Sequence, residues 1–314
     1  MAVDARPRGW APPPTLEQYR RAAAAAERRV GGRLAEGGPA RTAAPLVRVV
    51  TGVWNAAGTL PRTIASVREQ RSAVELEYIV VDGGSTDGTL ALIDTDDVDL
   101  WISERDAGIY DAMNKGVAVA RGEIVVLINA DDWLLPGALL AVCERFAERP
   151  ELGVVYGDII LDGAGDRPSV RFRPPARLAE RDWHTIPIPH AATMVRRAVY
   201  ERVGLFRTDL RLAGDYELLL RAFTAGERFE YLPRPLAAVG RGGRSDTQRE
   251  RYRSETRRTI AAYGLGPVTR FVHVVHLAKW WLVHFAERSG AGWGVLRAYR
   301  ALKSFVRTRG GRRP

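Results

Sequence analysis

Cysteine is almost missing from this chain: Cys143 is the only one in 314 residues. That excludes a disulfide framework and a zinc site built on thiolates, and leaves a buried thiol in a reducing compartment as the expectation. Lysine is nearly as scarce, with Lys115 the only one before position 279 while arginine carries the remaining positive charge. The N-terminus brings Asp, Arg and Pro early instead of an apolar run, so no secretory signal is read there and a cytoplasmic location is expected. No run of about 20 predominantly apolar residues offers a membrane span. The most apolar late stretch, residues 271–286, carries three histidines and Lys279. The common phosphate and hydrolase signatures G-x-G-x-x-G, G-x-x-x-x-G-K, H-E-x-x-H and G-x-S-x-G are also absent, which counts against dinucleotide oxidoreductases, P-loop kinases, zincins and serine hydrolases.

What is present is enough to build a core. The apolar fraction is 46%, ordinary for a globular protein, and the length suits one large domain or two small ones. The net charge of +10 is uneven: +4 in residues 1–45, +9 in residues 266–314, and −3 between them. A basic body would point to nucleic acid, but here only the ends are basic and no base-reading motif accompanies them, so no nucleic-acid partner is expected.

Three segments follow from texture. Residues 1–45 read as a basic N-terminal extension with a short helix over 15–29 and then a linker rich in Gly and Pro. Residues 46–265 read as the main folded domain. Within it, apolar runs at 47–53, 78–81, 98–102, 123–129 and 154–160 are expected strands. Residues 60–68, 86–92, 109–120, 136–148, 198–203 and 216–225 are expected helices, with Pro136 in a first turn, and residues 167–189 read as loops. Short apolar strands alternating with helices predict an α/β fold with a mostly parallel sheet covered by helices on both faces. Ligands bind such sheets beyond the carboxyl ends of the strands.

Carboxylates stand at those ends. Asp82 closes one strand in Val80-Val81-Asp82-Gly83-Gly84-Ser85-Thr86-Asp87-Gly88, and Asp131-Asp132 close another in Leu127-Ile128-Asn129-Ala130-Asp131-Asp132-Trp133. Adjacent carboxylates repel unless a cation or donors compensate them, and hard oxygen ligands suit Mg²⁺ or Mn²⁺ shared with phosphates. Helix capping by Asp132 and Asp87 is the structural alternative.

Taken in order, Thr51-Gly52-Val53-Trp54-Asn55, the Asp82 segment, Asp106-Ala107-Gly108-Ile109-Tyr110-Asp111-Ala112-Met113-Asn114-Lys115-Gly116 and Asn129-Ala130-Asp131-Asp132-Trp133 resemble a family 2 glycosyltransferase of the GT-A type. Looser likeness continues through Pro189-His190-Ala191-Ala192-Thr193-Met194 and Gly214-Asp215-Tyr216-Glu217 to Gly242-Gly243-Arg244-Ser245. The resemblance implies a Rossmann-type GT-A fold and metal-assisted transfer of a sugar, with inversion, from a nucleotide-diphosphate donor, a UDP-sugar being favoured. It implies that Asp82 contacts the base with Thr51 and Asn55 nearby, that Asp132 holds Mn²⁺ or Mg²⁺, and that Asp131 meets the ribose or the ion. Asn129 stands where many members carry an acid, so the metal rests on the pair alone. Asp215 matches the general base, with Glu217 as fallback, and Gly214 gives the backbone freedom to bring the carboxylate to the cleft. His190 is expected to face the acceptor, as is Glu217. Lys115, Arg244 and Ser245 are expected at the diphosphate, against the alternatives of a solvated helix lysine and a plain flexible loop.

Residues 266–314 are expected to form an aromatic and basic helical tail. Trp280 and Trp281 beside Lys279, followed by seven Lys/Arg from Arg297 onward, suit an anionic membrane surface, with docking on the catalytic domain as the alternative. A peripheral position at the inner face of the membrane would make a lipid-linked or sugar acceptor for cell-surface polysaccharide or glycolipid natural. Two rival readings stand beside the transferase: a non-catalytic nucleotide-sugar-binding scaffold, and a sugar-phosphate nucleotidyltransferase. The second would show a glycine-rich basic loop after the first strand, where only Gly52, Gly58 and Arg62 occur.

Overall fold

The computed structural model describes residues 9–25, 28–35, 47–120, 122–163, 168–240 and 247–265, with Phe271 and Val274 beyond them. The chain divides into two compact units, Met1–Gly264 and Leu265–Pro314, and all elements below belong to the first. The tail reading falls almost wholly outside the described residues.

Strands β2 (Val47–Val53), β3 (Leu76–Asp82), β4 (Leu100–Ser103) and β5 (Ile124–Leu127) lie side by side in the order β4-β3-β2-β5, all parallel. Every residue of β2, β3 and β5 is buried, as expected for strands covered on both faces. The period of two is visible in β2. Val47 and Val49 join a cluster with Leu60, Ile64 and Val67 of α2 (Leu60–Gln70) and Val142 and Phe146 of α5 (Ala138–Glu148). Val50 joins the opposite cluster with Met113 and Val117 of α4 (Ile109–Val119). The register pairs Val53 with Asp82 and Asp82 with Ser103, so these three residues share one edge of the sheet.

The sheet continues through an antiparallel strand, β9 (Thr193–Arg196), between β5 and β7 (Val154–Leu161). Next to β7 runs β10 (Phe229–Val239), parallel to it, and β6 (Asp132–Leu134) pairs antiparallel with β10. A short β8 (Val170–Phe172) extends β7 on its other side. Helices α6 (Arg197–Val203), α7 (Gly214–Thr224) and α8 (Arg249–Ala262) complete the described fold after α3 (Thr89–Ile93).

The N-terminal segment departs from the expected extension and linker. Helix α1 (Leu16–Ala25) lies on α4, with Leu16 buried, the Tyr19 hydroxyl donating to Asp111 at 2.6 Å and Arg20 Nε donating to the Ala118 carbonyl at 3.0 Å. Strand β1 (Arg29–Gly31) pairs with β4 and covers what would be an open edge. Residues 9–25 and 28–35 therefore belong to the same compact unit as the sheet.

Other boundaries moved for local reasons. The helix expected from 136 begins at Ala138, because Gly137 is its N-cap at φ 68° and Pro136 lies outside it. The helix expected from 86 begins at Thr89, after Gly88 at φ 92°. Within 167–189, expected as loops, the chain forms β8 and a 3₁₀ turn at Glu180–His184. Strand β10 contains Pro233 and Pro235, whose missing N–H groups hid it in the sequence, and its register with β7 shifts at Pro235.

Candidate active site

The loop after β2 and the loop after β3 are sewn together. Asn55, the only described non-glycine residue at positive φ (48°), donates its backbone N–H to Ser85 Oγ at 2.8 Å and accepts from the Thr86 N–H at 2.9 Å. Asp87 accepts from the N–H groups of Ala57 and Thr89; the N-cap of α3 is Gly88, so Asp87 ties the two loops together from just outside the helix. Asp82 is fully buried, and its carboxylate accepts from the Gly84 and Ser85 N–H groups and from the hydroxyls of Ser85 and Ser103. Thr51 is equally buried and accepts from the Tyr78 hydroxyl at 3.0 Å.

Past β5 the chain turns through Asn129 and Ala130 into the Asp131-Asp132 pair. Asp132 caps no helix: it opens β6, with Oδ1 accepting from the Gly240 N–H and Oδ2 from Asn129 Nδ2, both at 3.2 Å. Gly240 is needed there, because a Cβ would stand 2.6 Å from the Asp131 carbonyl oxygen. Burial, and then the charge of Asp131, push the Asp132 carboxyl up to about 8. A buried carboxylate beside a second one calls for a cation, so the donor set suits a hard divalent ion. No third His, Cys, Asp or Glu joins the pair among the described residues, which leaves coordination positions for phosphate oxygens and water. Behind the pair, Arg62 lies over the Trp133 ring at 3.1 Å from its centroid and pairs with Asp162 at 3.3 Å.

Asp215 comes to the same cleft from the first turn of α7. The carboxylate of Glu255, on α8, accepts the N–H groups of Arg211, Leu212 and Ala213 and so fixes the turn that starts the helix. Asp215 is not the N-cap; Ala213 is. Gly214 serves by close approach, since a Cβ would meet the Tyr110 ring at 2.7 Å and its φ is not positive. Asp215 Oδ1 accepts from the Tyr110 hydroxyl at 3.1 Å and from the Tyr216 N–H at 2.8 Å. His190, in a 3₁₀ turn before β9, has Nδ1 3.5 Å from Asp215 Oδ2 and Nε2 3.0 Å from Asn129 Nδ2.

A chain of polar contacts thus links Asp132, Asn129, His190, Asp215 and Tyr110; Asn129 and Tyr110 carry no expected role from sequence. Two expected residues are held elsewhere. Glu217 is fully buried, paired with Arg221 and accepting from the Tyr263 hydroxyl at 2.6 Å, so it faces no acceptor. Lys115 Nζ is paired with Glu104 at 2.8 Å and Asp111 at 3.1 Å. Arg244 and Ser245 lie outside the described residues.

Comparison with known proteins agrees with this architecture. The family model described as glycosyl transferase family 2 matches residues 48–204. A glycosyltransferase of Mycobacterium tuberculosis is 33% identical over 184 residues, 58% of this chain and 70% of the relative. A PGL/p-HBAD biosynthesis glycosyltransferase of Mycobacterium bovis is 32% identical over 188 residues, 58% of this chain and 71% of the relative. Among solved structures, the mannosyltransferase PcManGT from Pyrobaculum calidifontis, in complex with GDP-Man and Mn²⁺, aligns with a TM-score of 0.56 at 24% identity, over 91% of this chain and 87% of that one. S. aureus TarS 1–349 in complex with UDP-GlcNAc gives 0.54 at 18% identity, over 69% and 67%. At these identities the structural likeness concerns the fold, a GT-A-type α/β sheet with helices on both faces. The chain belongs to glycosyl transferase family 2.

Proposed function

We propose that residues 46–265 form the catalytic domain and transfer a sugar from a nucleotide-diphosphate donor to an acceptor hydroxyl with inversion. The observation that carries this reading is a line of polar contacts from the buried carboxylate of Asp132, next in sequence to Asp131, through Asn129 and His190 to the carboxylate of Asp215. Asp132 and Asp131 would hold Mn²⁺ or Mg²⁺ with the donor diphosphate. Such an ion neutralises the diphosphate and stabilises it as a leaving group. Asp215 takes the proton of the acceptor hydroxyl as its oxygen forms the new bond to the anomeric carbon and the bond to the diphosphate oxygen breaks. Attack from the face opposite the leaving group inverts the centre.

Asp82 and Asn55 line the base end of the donor site. There a base N–H would take over the lone pair on Asp82 now used by the Ser85 hydroxyl. The neighbouring structures hold UDP-GlcNAc and GDP-Man, and a UDP-sugar is the donor favoured here. The Mycobacterium bovis relative is named a PGL/p-HBAD biosynthesis glycosyltransferase; for this chain the aromatic and basic sequence of residues 266–314 favours a lipid-linked or sugar hydroxyl as acceptor. Among the described residues no helix is long and apolar enough to cross a membrane.

Calorimetric titration of UDP, GDP and other nucleoside diphosphates into wild type and Asp132→Ala, with and without Mn²⁺, tests the donor site. Metal-dependent binding lost in the variant supports the reading, and absence of binding by wild type to every nucleotide sinks it. The anomeric configuration of the product by proton NMR tests inversion.

A further inference from the structure

Two main-chain carbonyls near the N-terminus hold the residue on which Tyr110 rests. Phe206 stacks on the Tyr110 phenol, with 5.4 Å between centroids and 14° between planes, and that phenol donates to Asp215 at 3.1 Å. On one side of Phe206, the Leu205 N–H donates to the Pro14 carbonyl at 2.9 Å. On the other, Arg207 Nη1 donates to the Ala11 carbonyl at 2.5 Å. Phe206 itself is gripped by Asn114 of α4, which accepts its N–H and donates to its carbonyl, both at 2.9 Å.

The two carbonyls belong to Trp10-Ala11-Pro12-Pro13-Pro14. Arg207 and Arg258 both lie over the Trp10 ring, 4.2 and 4.9 Å from its centroid, and Asp209 pairs with both guanidinium groups, at 3.0 and 3.6 Å. Pro13 packs on Gly204, where a Cβ would stand 2.8 Å from Pro13 Cγ. Each proline fixes its own φ near −65°, so ordering this segment costs little chain entropy. Further on, Tyr19 of α1 donates to Asp111, the residue after Tyr110.

We propose that Trp10 is a positioning residue: it pins residues 10–14 as a strap across Phe206, and through Phe206 and Tyr110 the strap sets where the Asp215 carboxylate stands. This rests on the reading of Asp215 as the base. The partners of the strap are residues 204–209 and Arg258. None of these belongs to the loops after β2, β3 and β5 that carry the donor site, so donor affinity is expected to be independent of it. A displacement of about 1 Å in a reacting group lowers a rate about 100-fold, so partial release of Phe206 is expected to show in turnover.

The first test needs no turnover. The ¹³Cζ signal of Tyr110 in the full chain, identified by its loss in Tyr110→Phe, reports the bond that its hydroxyl donates. It is expected to shift in Trp10→Ala and to return towards wild type in Trp10→Phe, whose ring still offers a face to the two guanidinium groups. Hydrogen exchange at the Leu205 N–H is expected to quicken in the alanine variant alone. An unmoved Tyr110 signal in Trp10→Ala overturns the proposal.

The second test is steady-state hydrolysis of the nucleotide sugar, UDP-glucose or GDP-mannose, that wild type turns over faster, with water as acceptor. Trp10→Ala is expected to lower kcat about 10-fold with KM for the donor unchanged, and Trp10→Phe to restore most of it. In a Tyr110→Phe background the same alanine change is expected to have almost no further effect on kcat, because its route runs through the Tyr110 hydroxyl. Equal effects in both backgrounds, which a general loosening of the fold would give, overturn the positioning role. Where Trp10→Ala reduces the folded fraction, Arg258→Gln carries the same cycle, since it takes one guanidinium off the Trp10 ring at a position more than half exposed. Asp215→Asn keeps the two readings apart. If it abolishes hydrolysis while Trp10→Ala leaves kcat intact, the base stands and the strap falls. If it leaves hydrolysis intact, the base reading falls, while the Tyr110 signal still reads the strap.

Discussion

Tyr110 donates its hydroxyl to Asp215 across 105 residues of chain, at 3.1 Å, from α4 to the first turn of α7. The phenol ring is stacked on Phe206 at 5.4 Å between centroids and packed against Gly214. Burial, and then the charge of Asp215, push the Tyr110 phenol well above its ordinary value. It is therefore a fixed donor throughout the working pH range. A hydrogen bond to a charged group contributes about 1.5–3 kcal/mol, so Tyr110→Phe is expected to lower kcat about 10- to 100-fold. The phenylalanine keeps the stack on Phe206, so the melting temperature and the affinity for a nucleoside diphosphate should stay near wild type. Steady-state kinetics beside a titration checks the split, and a loss of nucleotide affinity would contradict it.

The Asp131-Asp132 pair makes metal binding depend on pH. Without a cation the Asp132 carboxyl stands at about 8, above the pKa of about 3.9 for a free aspartate. A metal ligand must give up its proton, so protons and Mn²⁺ compete. Apparent affinity for Mn²⁺ should rise about tenfold per pH unit up to pH 8 and level off above it. Free Mn²⁺ measured by electron paramagnetic resonance between pH 6 and pH 9, with about one proton released per ion bound at neutral pH, checks both the slope and the sign. A flat profile would show that Asp132 is already ionised.

Glu217 separates scaffold from chemistry. Its carboxylate accepts two hydrogen bonds from Arg221 and one from Tyr263 at zero exposure. Breaking a buried ion pair by removing one partner destabilises by about 3–5 kcal/mol. Glu217→Ala is therefore expected to lower the melting temperature strongly while the folded fraction keeps its kcat. Thermal unfolding beside activity at low temperature checks this. A variant that melts normally and is inactive would return Glu217 to the cleft.

The legibility of this molecule follows from what each pattern encodes. The parallel strands β2, β3 and β5 read clearly, because burial on both faces demands unbroken β-branched and apolar runs. Strand β10 did not, since Pro233 and Pro235 interrupt its pattern. Nor did α8, whose core-facing positions include Glu255 and Thr256 among arginines, so apolar periodicity could not mark it. In the candidate site, Asp132 was legible as a carboxylate just past a strand, and Asp215 only through the family resemblance. The contacts of Asn129 and Tyr110 were not, since hydrogen bonds spanning 61 and 105 residues leave no local trace. Glu217 misled for the opposite reason. It follows Asp215 by two positions, and two positions along a helix turn a side chain by more than half a circle, from the cleft into the core.

The scarcity of lysine gives the last prediction. One lysine kept in an arginine-rich domain invites a phosphate contact, but Lys115 Nζ lies between Glu104 and Asp111. Asp111 also accepts the Tyr19 hydroxyl, which anchors α1 on α4. Burial alone would lower the Lys115 ammonium, and its bonds to Glu104 and Asp111 overcome that and hold it above its ordinary value. Lys115→Met leaves two half-buried carboxylates facing each other without a cation. It is expected to destabilise the fold by about 1–3 kcal/mol and to increase hydrogen exchange along α1, with nucleoside-diphosphate affinity within about twofold of wild type, since no phosphate contact is lost. Because a raised folded-state pKa stabilises only while the amine is charged, this contribution is present below pH 10 and fades as the pH climbs through the folded value. A tenfold loss of nucleotide affinity at unchanged stability would instead make Lys115 a donor contact.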